Sequence, residues 1–201
     1  RLEVQCSVDR LLAFAAAADK FEGRVHQPPG NVVVMALNEP VGVIGQVAPD
    51  EWPLLGMVTL LAPALAMGNS IVLKPAEQSP LTALKLGELA LEAGIPDGVF
   101  NVVPGFGASA CKALALHMDV DMIAFTGSGP VGKLLMQYSG QSNLKRVSLE
   151  LGGKSPQIVF ADCPDLKAAA EAAAWGIFFN QGEVCTAASR LLVQESIAEP
   201  F

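Results

Sequence analysis

The sequence predicts an α/β fold built on a doubly wound parallel sheet. From residue 41 onward, short apolar segments alternate regularly with segments of helical periodicity. The apolar segments are nearly continuous rather than alternating with polar residues, which is typical of strands that are covered on both faces. A repeated strand–helix–strand pattern of this kind indicates a Rossmann-like domain.

Each element of this repeat can be assigned from its residue pattern. Five short apolar segments are predicted as the strands of the sheet: VGVIGQVAP, SIVLKP, VFNVVPG, MIAFTG and RVSLELGG. Four segments with helical periodicity are predicted as the helices between them: residues 56–67, 80–93, 107–117 and 130–138. For the second of these helices, Ser79 is the candidate N-cap, and Gly94 lies just beyond the last turn.

The two ends of the chain do not follow this repeat. Residues 1–40 are predicted to form a helix and then a ribbon, NVVVMALNEP, that leads into the sheet of residues 41–150. Residues 151–201 are predicted as the truncated start of a second α/β domain, because GKSPQIVF and RLLVQ resemble strands on either side of an Ala-rich helix. Because the chain opens without Met and ends without a closing element, we expect an internal piece of a longer protein.

The composition is that of a globular protein that does not bind nucleic acid. Of the 201 residues, 51% are hydrophobic and 16% are charged, which supplies enough apolar side chains for a substantial core. The 13 Lys and Arg residues against 20 Asp and Glu residues give a formal net charge of −7. No basic cluster exceeds the pair in NLKRV, so a phosphate backbone would meet no positively charged surface.

Neither a membrane span nor a metal site is expected. The longest apolar run, MVTLLAPALAMG, is shorter than the roughly 18 to 20 residues that a membrane helix requires. The four cysteines lie far apart without a CxxC pair, and neither of the two histidines has a candidate ligand near it in sequence. Cysteines spaced in this way also argue against a disulfide scaffold, so a reducing, cytoplasmic setting is expected.

Two glycine-rich loops follow predicted strands. GSGPVG, residues 127–132, has the G-x-G-x-x-G spacing of a turn that holds a dinucleotide pyrophosphate, and by that pattern Glu150 is the candidate ribose ligand. The same glycine spacing also fits a turn that only connects a strand to the following helix and binds no ligand. PGFGAS, residues 104–109, also lies between a strand and a helix. The glycine pattern alone therefore selects no unique site.

A single cysteine, Cys185, lies in FFNQGEVCTAASR between an apolar helical run and the strand-like RLLVQ. A lone cysteine usually behaves as a small buried apolar residue, so this segment by itself favours a packing role. A nucleophilic role requires a partner base and further catalytic groups elsewhere in the sequence. Trp175, in the preceding helix, is also expected to be a packing residue.

Four segments form a set whose order and spacing are informative: VLKPAEQSP (72–80), FTGSGPVG (125–132), LELGGKSP (149–156) and FNQGEVC (179–185). Together they resemble the aldehyde dehydrogenase superfamily of NAD(P)-dependent enzymes, with a likeness that runs from about residue 38 to the end of the chain. The resemblance implies that residues 41–150 are an NAD-binding domain and that the chain covers well under half of such an enzyme. It also implies a ribbon used for oligomerisation, and hence a homo-oligomer for the full-length protein.

The resemblance also implies the roles of individual residues. Cys185 is the expected nucleophile and Glu150 the expected general base, which replaces the ribose role that the glycine pattern gave to Glu150. Lys74 and Glu77 are expected to hold the ribose hydroxyls, and the pyrophosphate is expected near Gly127 and Ser128. NAD is the expected cofactor and NADP is less favoured, because the Glu77 carboxylate would repel a 2′-phosphate.

These residue types fit the oxidation of a small-molecule aldehyde to a carboxylic acid. A thiolate attacks the carbonyl carbon, the hemithioacetal loses hydride to the nicotinamide, and water activated by a carboxylate hydrolyses the thioester. The chain by itself is not expected to be active. Two alternatives remain: a relative that passes the thioester to coenzyme A, and a non-catalytic binding or scaffold module.

The loop PDEWP, residues 49–53, is the observation behind the non-catalytic alternative. The family usually has tryptophan and then asparagine in the second and third places of this motif, and the asparagine amide helps to hold the oxyanion. Here those places are Asp50 and Glu51. If Glu51 faces the same site, we expect a slower acylation step.

Overall fold

The computed structural model describes residues 2–201, which form two compact units. The first unit comprises the described residues up to 126 together with 130–149, and the second comprises 127–129 together with 150–201. The chain therefore passes from the first unit to the second at residue 127, returns at residue 130, and leaves again at residue 150.

The helices and strands follow the predicted alternation. From the amino end to the last strand of the main sheet they are α1 (Leu2–Ala17), β1 (Arg24–His26), β2 (Val34–Ala36), β3 (Val43–Val47), α2 (Leu55–Ala66), β4 (Ser70–Lys74), α3 (Leu81–Glu92), β5 (Phe100–Val102), α4 (Lys112–Leu116), β6 (Met122–Gly127), α5 (Gly129–Gly140) and β7 (Arg146–Leu151). A π-helical turn, Gly107–Cys111, immediately precedes α4. The remaining elements are β8 (Pro156–Val159), α6 (Leu166–Phe178) and β9 (Arg190–Val193), with 3-10 turns at Phe179–Gly182 and Glu195–Ile197.

The main sheet has five strands in the order β5-β4-β3-β6-β7. β3 pairs in parallel with both β4 and β6, and β4 pairs in parallel with β5. The chain thus runs outward from β3 on one side and then returns to build the other side, so the predicted doubly wound sheet is confirmed. The reversal lies between β3 and β6, which is the position where open α/β sheets bind ligands at the carboxyl ends of their strands.

The core of the first unit lies between the sheet and its helices. Its buried members come from β3 and the residue that follows it, and from α2, β4, α3, β5 and β6: Ile44, Ala48, Met57, Leu61, Ala64, Ile71, Leu73, Ala83, Phe100 and Ala124. Ile71 and Leu73 of β4 have no exposed surface. In β3 and β6 consecutive residues, which point to opposite faces of the sheet, are buried, so these two strands are covered on both sides.

The prediction for the start of α3 was wrong in one respect. The residue at the N-cap position is Pro80, and no side chain caps this helix. Ser79 instead belongs to the preceding turn, where its N–H donates to the carbonyl of Ala76 (3.3 Å). The predicted stop is confirmed, because Gly94 follows the helix with a φ of 88°, a left-handed conformation that favours glycine.

The predicted ribbon is a separate antiparallel pair of strands. β1 pairs with β2 in the register Arg24↔Ala36 to His26↔Val34. Every residue of both strands is exposed, including apolar side chains such as Val25 (71% exposed) and Met35 (65% exposed). A two-stranded ribbon with this much exposed apolar surface is only marginally stable in isolation.

The second unit contains one further strand–helix–strand repeat. β8 and β9 pair in parallel, from Pro156↔Arg190 to Val159↔Val193, and α6 connects them. Asp165 caps α6, since its carboxylate accepts from the N–H of Ala168 (3.0 Å). Among residues 2–201, none of the helices has the length and apolarity needed to cross a membrane.

The amino end of α2 is capped from another helix. Leu54, at its N-cap position, provides no side-chain acceptor. Glu3 of α1 fills this role, because its Oε2 atom accepts from the N–H groups of Leu54 (2.9 Å) and Leu55 (3.1 Å). The carboxylate pairs two N–H groups that have no partner inside the helix, and its charge is favourable at the positive end of the helix dipole.

We expect Glu3→Ala to lower the free energy of unfolding by about 1 to 2 kcal/mol, since loss of an N-terminal cap typically costs about that much. Urea unfolding followed by circular dichroism measures the change. Glu3→Gln is the matched control: it keeps an acceptor oxygen without the charge, so its loss should be clearly smaller. An unchanged unfolding midpoint for Glu3→Ala would contradict the capping role.

Candidate active site

The end of β4 carries an ion pair between a buried lysine and a partly exposed glutamate. Lys74, the last residue of the strand, is 4% exposed, and its Nζ atom lies 3.0 Å from Oε1 of Glu77. Glu77 belongs to the turn between β4 and α3, where its side chain is 35% exposed. Burying an ammonium group without a counter-charge is costly, so Glu77 stabilises Lys74 in this position. The structure thus brings together the two predicted ribose ligands.

A second donor holds the same carboxylate oxygen. The backbone N–H of Gly107 donates to Oε1 of Glu77 with an N···O distance of 2.7 Å. Burial by itself would raise the pKa of Glu77, but the hydrogen bond from Lys74, the backbone donors of Glu77 and Gly107, and the Lys74 charge together hold that pKa below its ordinary value. The carboxylate is therefore ionised at neutral pH.

The loop after β6 contains the other two predicted cofactor residues. Gly127 ends β6, α5 begins at Gly129, and Ser128 lies between them with its side chain exposed. In the register of the sheet, Val47 of β3 is paired with Phe125 of β6 on one side and with Lys74 of β4 on the other. β4 and β6 therefore both end at the carboxyl edge of the sheet. The glycine-rich turn follows directly from that edge.

Cys185 lies in the loop between the 3-10 turn and β9. Three consecutive residues just before it have left-handed backbones: Asn180 (φ 47°), Gln181 (φ 60°) and Gly182 (φ 79°). The N–H of Glu183 donates to the carbonyl of Asn180 (3.0 Å), and this hydrogen bond closes the turn. Positive φ values in non-glycine residues are unfavourable, and such residues concentrate at functional sites.

The four cysteines differ in accessibility. Cys185 is exposed, Cys6 and Cys163 are half-buried, and Cys111 is 4% exposed. Burial raises the pKa of the Cys111 thiol, which keeps it protonated at neutral pH. Cys111 has the packing role expected of a lone cysteine, whereas the backbone presents Cys185 to solvent.

The segment after β7 lies against the Cys185 loop. Glu150 is exposed near the end of β7, and the chain continues through Gly152 and Gly153. A Cβ atom on Gly153 would lie only 3.2 Å from the carbonyl oxygen of Cys185, so glycine permits this close approach. Within residues 2–201 the structure shows no hydrogen bond between the Glu150 carboxylate and Cys185.

Arg190, the first residue of β9, forms hydrogen bonds with the segment that follows β7. Its Nε atom donates to the carbonyl of Lys154 (2.9 Å), and its N–H donates to the carbonyl of Ser155 (3.3 Å). Together with the parallel pairing of β8 and β9, these bonds fix the backbone that runs from Gly153 into β8. The position of Gly153 against Cys185 is therefore determined by regular structure on both sides.

Trp175 is not the packing residue that was expected. Its side chain is 68% exposed on α6, and its ring lies 5.2 Å from that of Phe179 with a tilt of 50°. Phe178 is 74% exposed. Along this Ala-rich helix only Ala173 is fully buried, so the aromatic side chains lie outside the narrow buried stripe. The helical pattern of alanines alone does not show this.

The loop PDEWP connects β3 to α2. Asp50 is exposed and Glu51 is half-buried. The carbonyl of Trp52 accepts from the N–H of Gly56 (2.8 Å), in the first turn of α2. This loop belongs to the first unit and Cys185 to the second. In the described part of the chain, no group of three or more His, Cys, Asp or Glu residues is arranged to hold a metal ion.

Comparison with known proteins identifies the family. The model of the aldehyde dehydrogenase family matches residues 1–201. The chain belongs to this family. The NADP/NAD-dependent aldehyde dehydrogenase PuuC of Escherichia coli strain K12 is 56% identical over 188 residues, which are 94% of this chain and 38% of that protein.

Two solved structures are similar along nearly the whole chain. The γ-glutamyl-γ-aminobutyraldehyde dehydrogenase of Burkholderia cenocepacia J2315 superposes with a TM-score of 0.95 at 56% identity, covering 100% of this chain and 40% of that chain. An indole-3-acetaldehyde dehydrogenase in complex with NAD+ superposes with a TM-score of 0.92 at 56% identity, covering 96% and 39%. The chain spans about two fifths of the length of the relatives it matches.

Proposed function

We propose that this chain supplies the cofactor-binding and nucleophile-bearing part of an enzyme that oxidises an aldehyde to a carboxylic acid with NAD. The observation that carries the proposal is the exposed Cys185 on a strained turn, with Gly153 closely packed against its backbone, in a chain of the aldehyde dehydrogenase family. A thiol that only fills space would be buried, as Cys111 is.

The residues present fit a dinucleotide. Glu77 is an ionised acceptor for a ribose hydroxyl, and the Lys74 ammonium is a donor beside it. Both lie at the carboxyl edge of a doubly wound sheet, where such cofactors bind. Ser128 and the N–H groups of the turn after Gly127 are the proposed donors to the pyrophosphate. When bound, the nicotinamide supplies the acceptor for a hydride.

Cys185 and Glu150 carry the proposed chemistry. The Cys185 thiolate forms a bond to the aldehyde carbon, and the carbonyl electron pair moves onto oxygen. When that oxygen re-forms the double bond, the hydrogen on carbon leaves with its electron pair, and a thioester to Cys185 remains. The Glu150 carboxylate then takes a proton from water, the hydroxide adds to the thioester, and the C–S bond breaks to return the thiolate and release the acid.

The names of the relatives do not define the substrate. One is named for an aliphatic amino-aldehyde derivative and another for an aldehyde that carries an indole ring. We therefore propose only that the substrate is an aldehyde.

The exposed apolar ribbon of β1 and β2 supports our further proposal that the full-length enzyme is a homo-oligomer. The absence of paired cysteines among the described residues supports a cytoplasmic location.

The proposal is tested by incubating the full-length enzyme with NAD and a panel of aldehydes. NADH is measured by absorbance and the product by mass spectrometry, and we expect a free carboxylic acid in equal amount to NADH. A product that forms only when coenzyme A is added, as an acyl thioester, would favour the transferase alternative. A folded protein that binds NAD and oxidises no aldehyde would favour the non-catalytic alternative.

The presence of Glu51 in the PDEWP loop leads to a prediction about the rate of NADH formation. Loss of one oxyanion donor typically costs roughly 2.7 to 4 kcal/mol, or about 10²- to 10³-fold in rate. If Glu51 takes the place of the amide donor, we expect Glu51→Asn to raise the rate of NADH formation in a single turnover at neutral pH, by as much as about 10²-fold. Asp50→Asn, in the adjacent exposed position, is the matched control. An unchanged or lower rate for Glu51→Asn would show that the Glu51 side chain does not oppose the oxyanion.

A further inference from the structure

We propose that the backbone N–H of Gly107 positions the Glu77 carboxylate and thereby sets the preference of the enzyme for NAD over NADP. This inference rests on the proposed function, because it concerns the same cofactor site. It assigns a role to the second glycine-rich loop, PGFGAS, which the proposed mechanism does not use. Gly107 acts through Glu77, so it is a positioning residue.

The contact joins two loops that follow neighbouring strands. Glu77 lies in the turn after β4, and Gly107 begins the π-helical turn in the loop after β5. The Gly107 N–H (2.7 Å) and the Lys74 ammonium (3.0 Å) both contact Oε1 of Glu77. Two donors on one oxygen fix the rotation of the carboxylate, so Oε2, which carries neither contact, has a defined direction.

The Gly107 N–H is available to donate to Glu77 because Gly107 is the first residue of the π-helical turn. It belongs to the first residue of a helical turn, where backbone N–H groups have no partner inside the helix. The loop is also closely packed, since a Cβ atom on Gly105 would lie only 2.8 Å from Cβ of Ala110. The direction of the N–H group is therefore set by the loop, and Glu77 is the group that adjusts to it.

The position of this carboxylate matters because NADP differs from NAD by a phosphate on the 2′-oxygen of the adenosine ribose. A carboxylate held beside that ribose accepts from the hydroxyls of NAD and repels the phosphate of NADP. If the hydrogen bond from Gly107 is lost, the Lys74 ammonium and the backbone N–H of Glu77 itself are the remaining donors to the carboxylate. The carboxylate is then able to turn aside, and the Lys74 ammonium becomes available to the phosphate.

The chain offers a matched pair of variants for the test. Gly107→Pro removes the N–H and points a ring carbon at Oε1, which then has to move away. Proline is compatible with this position, because Gly107 is the first residue of the turn and Phe106 is extended (φ −75°, ψ 150°). Gly107→Ala keeps the N–H, and its Cβ atom would lie in ordinary contact, 3.6 Å from Oε1 of Glu77.

The measurement is the dissociation constant of the full-length protein for ADP-ribose and for 2′-phospho-ADP-ribose, by isothermal titration calorimetry. We expect the ratio of the two constants, which is large for the wild type, to fall about tenfold in Gly107→Pro and to stay within about twofold in Gly107→Ala. Steady-state kinetics should agree, with a lower KM for NADP and a nearly unchanged kcat in Gly107→Pro alone.

Each outcome decides the question. An unchanged ratio in a folded Gly107→Pro, or an equal fall in both glycine variants, would overturn the role of the N–H group. If Gly107→Pro does not fold, Glu77→Asp replaces it, because the shorter side chain keeps the charge but cannot reach Gly107 in the same geometry. An unchanged ratio in Glu77→Asp would then overturn the inference. Failure of the wild type to bind ADP-ribose at all would instead contradict the cofactor site.

Discussion

Cys185→Ala is expected to abolish aldehyde oxidation in the full-length enzyme while leaving the affinity for NAD within about twofold of the wild type. The methyl group cannot form the bond to the aldehyde carbon, so neither the hemithioacetal nor the thioester arises. Removing the nucleophile of a covalent mechanism typically lowers the rate by several orders of magnitude, and here we expect at least about 10⁴-fold. NADH formation measures the rate, and calorimetry measures the affinity.

Cys163→Ala is the matched control for this prediction. Cys163 is also a free cysteine of the second unit, but it is half-buried, and its Sγ atom lies 3.5 Å from the carbonyl oxygen of Asp165. We expect Cys163→Ala to retain oxidation within about twofold. Turnover close to the wild type in Cys185→Ala would return Cys185 to a packing role. A loss of NAD binding along with activity would show that the substitution disturbs the cofactor site.

The contrast between Cys185 and Cys111 shows what the sequence alone leaves open. Neither cysteine has another cysteine near it in the sequence, and a lone cysteine is usually buried. The backbone separates them: Cys111 ends a π-helical turn inside the first unit, whereas Cys185 follows three left-handed residues. Left-handed Asn180 and Gln181 are not predictable from residue preference, because both residues more often adopt other conformations.

The sheet was predictable because its signal is local. Four of the five strands are nearly continuous apolar segments, and the glycines and prolines between the segments mark the turns. The fifth, β7, alternates between exposed and half-buried residues, and it is recognised by that alternation and by the glycine pair that follows it. The candidate N-cap Ser79 was wrong because the helix begins one residue later, with Pro80 at the N-cap position. The preference of serine for N-cap positions does not fix the residue at which a helix begins.

Contacts between distant segments were not predictable. Glu3 caps α2 across 51 residues of sequence, and Gly107 reaches Glu77 across 30 residues. Each contact depends on how the loops and helices pack, and nothing in the glutamate or glycine itself indicates its partner. The resemblance to the family gave Lys74 and Glu77 their expected roles, but only the folded structure shows that one carboxylate oxygen receives two donors.

Glu150→Gln is expected to separate the two halves of the proposed reaction. Glutamine has nearly the shape of glutamate but cannot take a proton from water, so the thioester to Cys185 should form and then persist. We expect a burst of NADH that approaches one equivalent per active site, followed by a steady rate about 10²- to 10⁴-fold lower than in the wild type. Rapid-mixing absorbance measures the burst. Mass spectrometry of the acid-quenched protein should show the acyl group on the peptide that contains Cys185.

Glu171→Gln is the control for this last variant, because Glu171 is exposed on α6 and forms only a loose pair with Lys167, at 4.0 Å. It should leave both the burst and the steady rate unchanged. The result that would contradict the assigned role is an equal loss of burst and steady rate in Glu150→Gln, since Glu150 would then be needed before the thioester forms. A steady rate equal to that of the wild type would require another base.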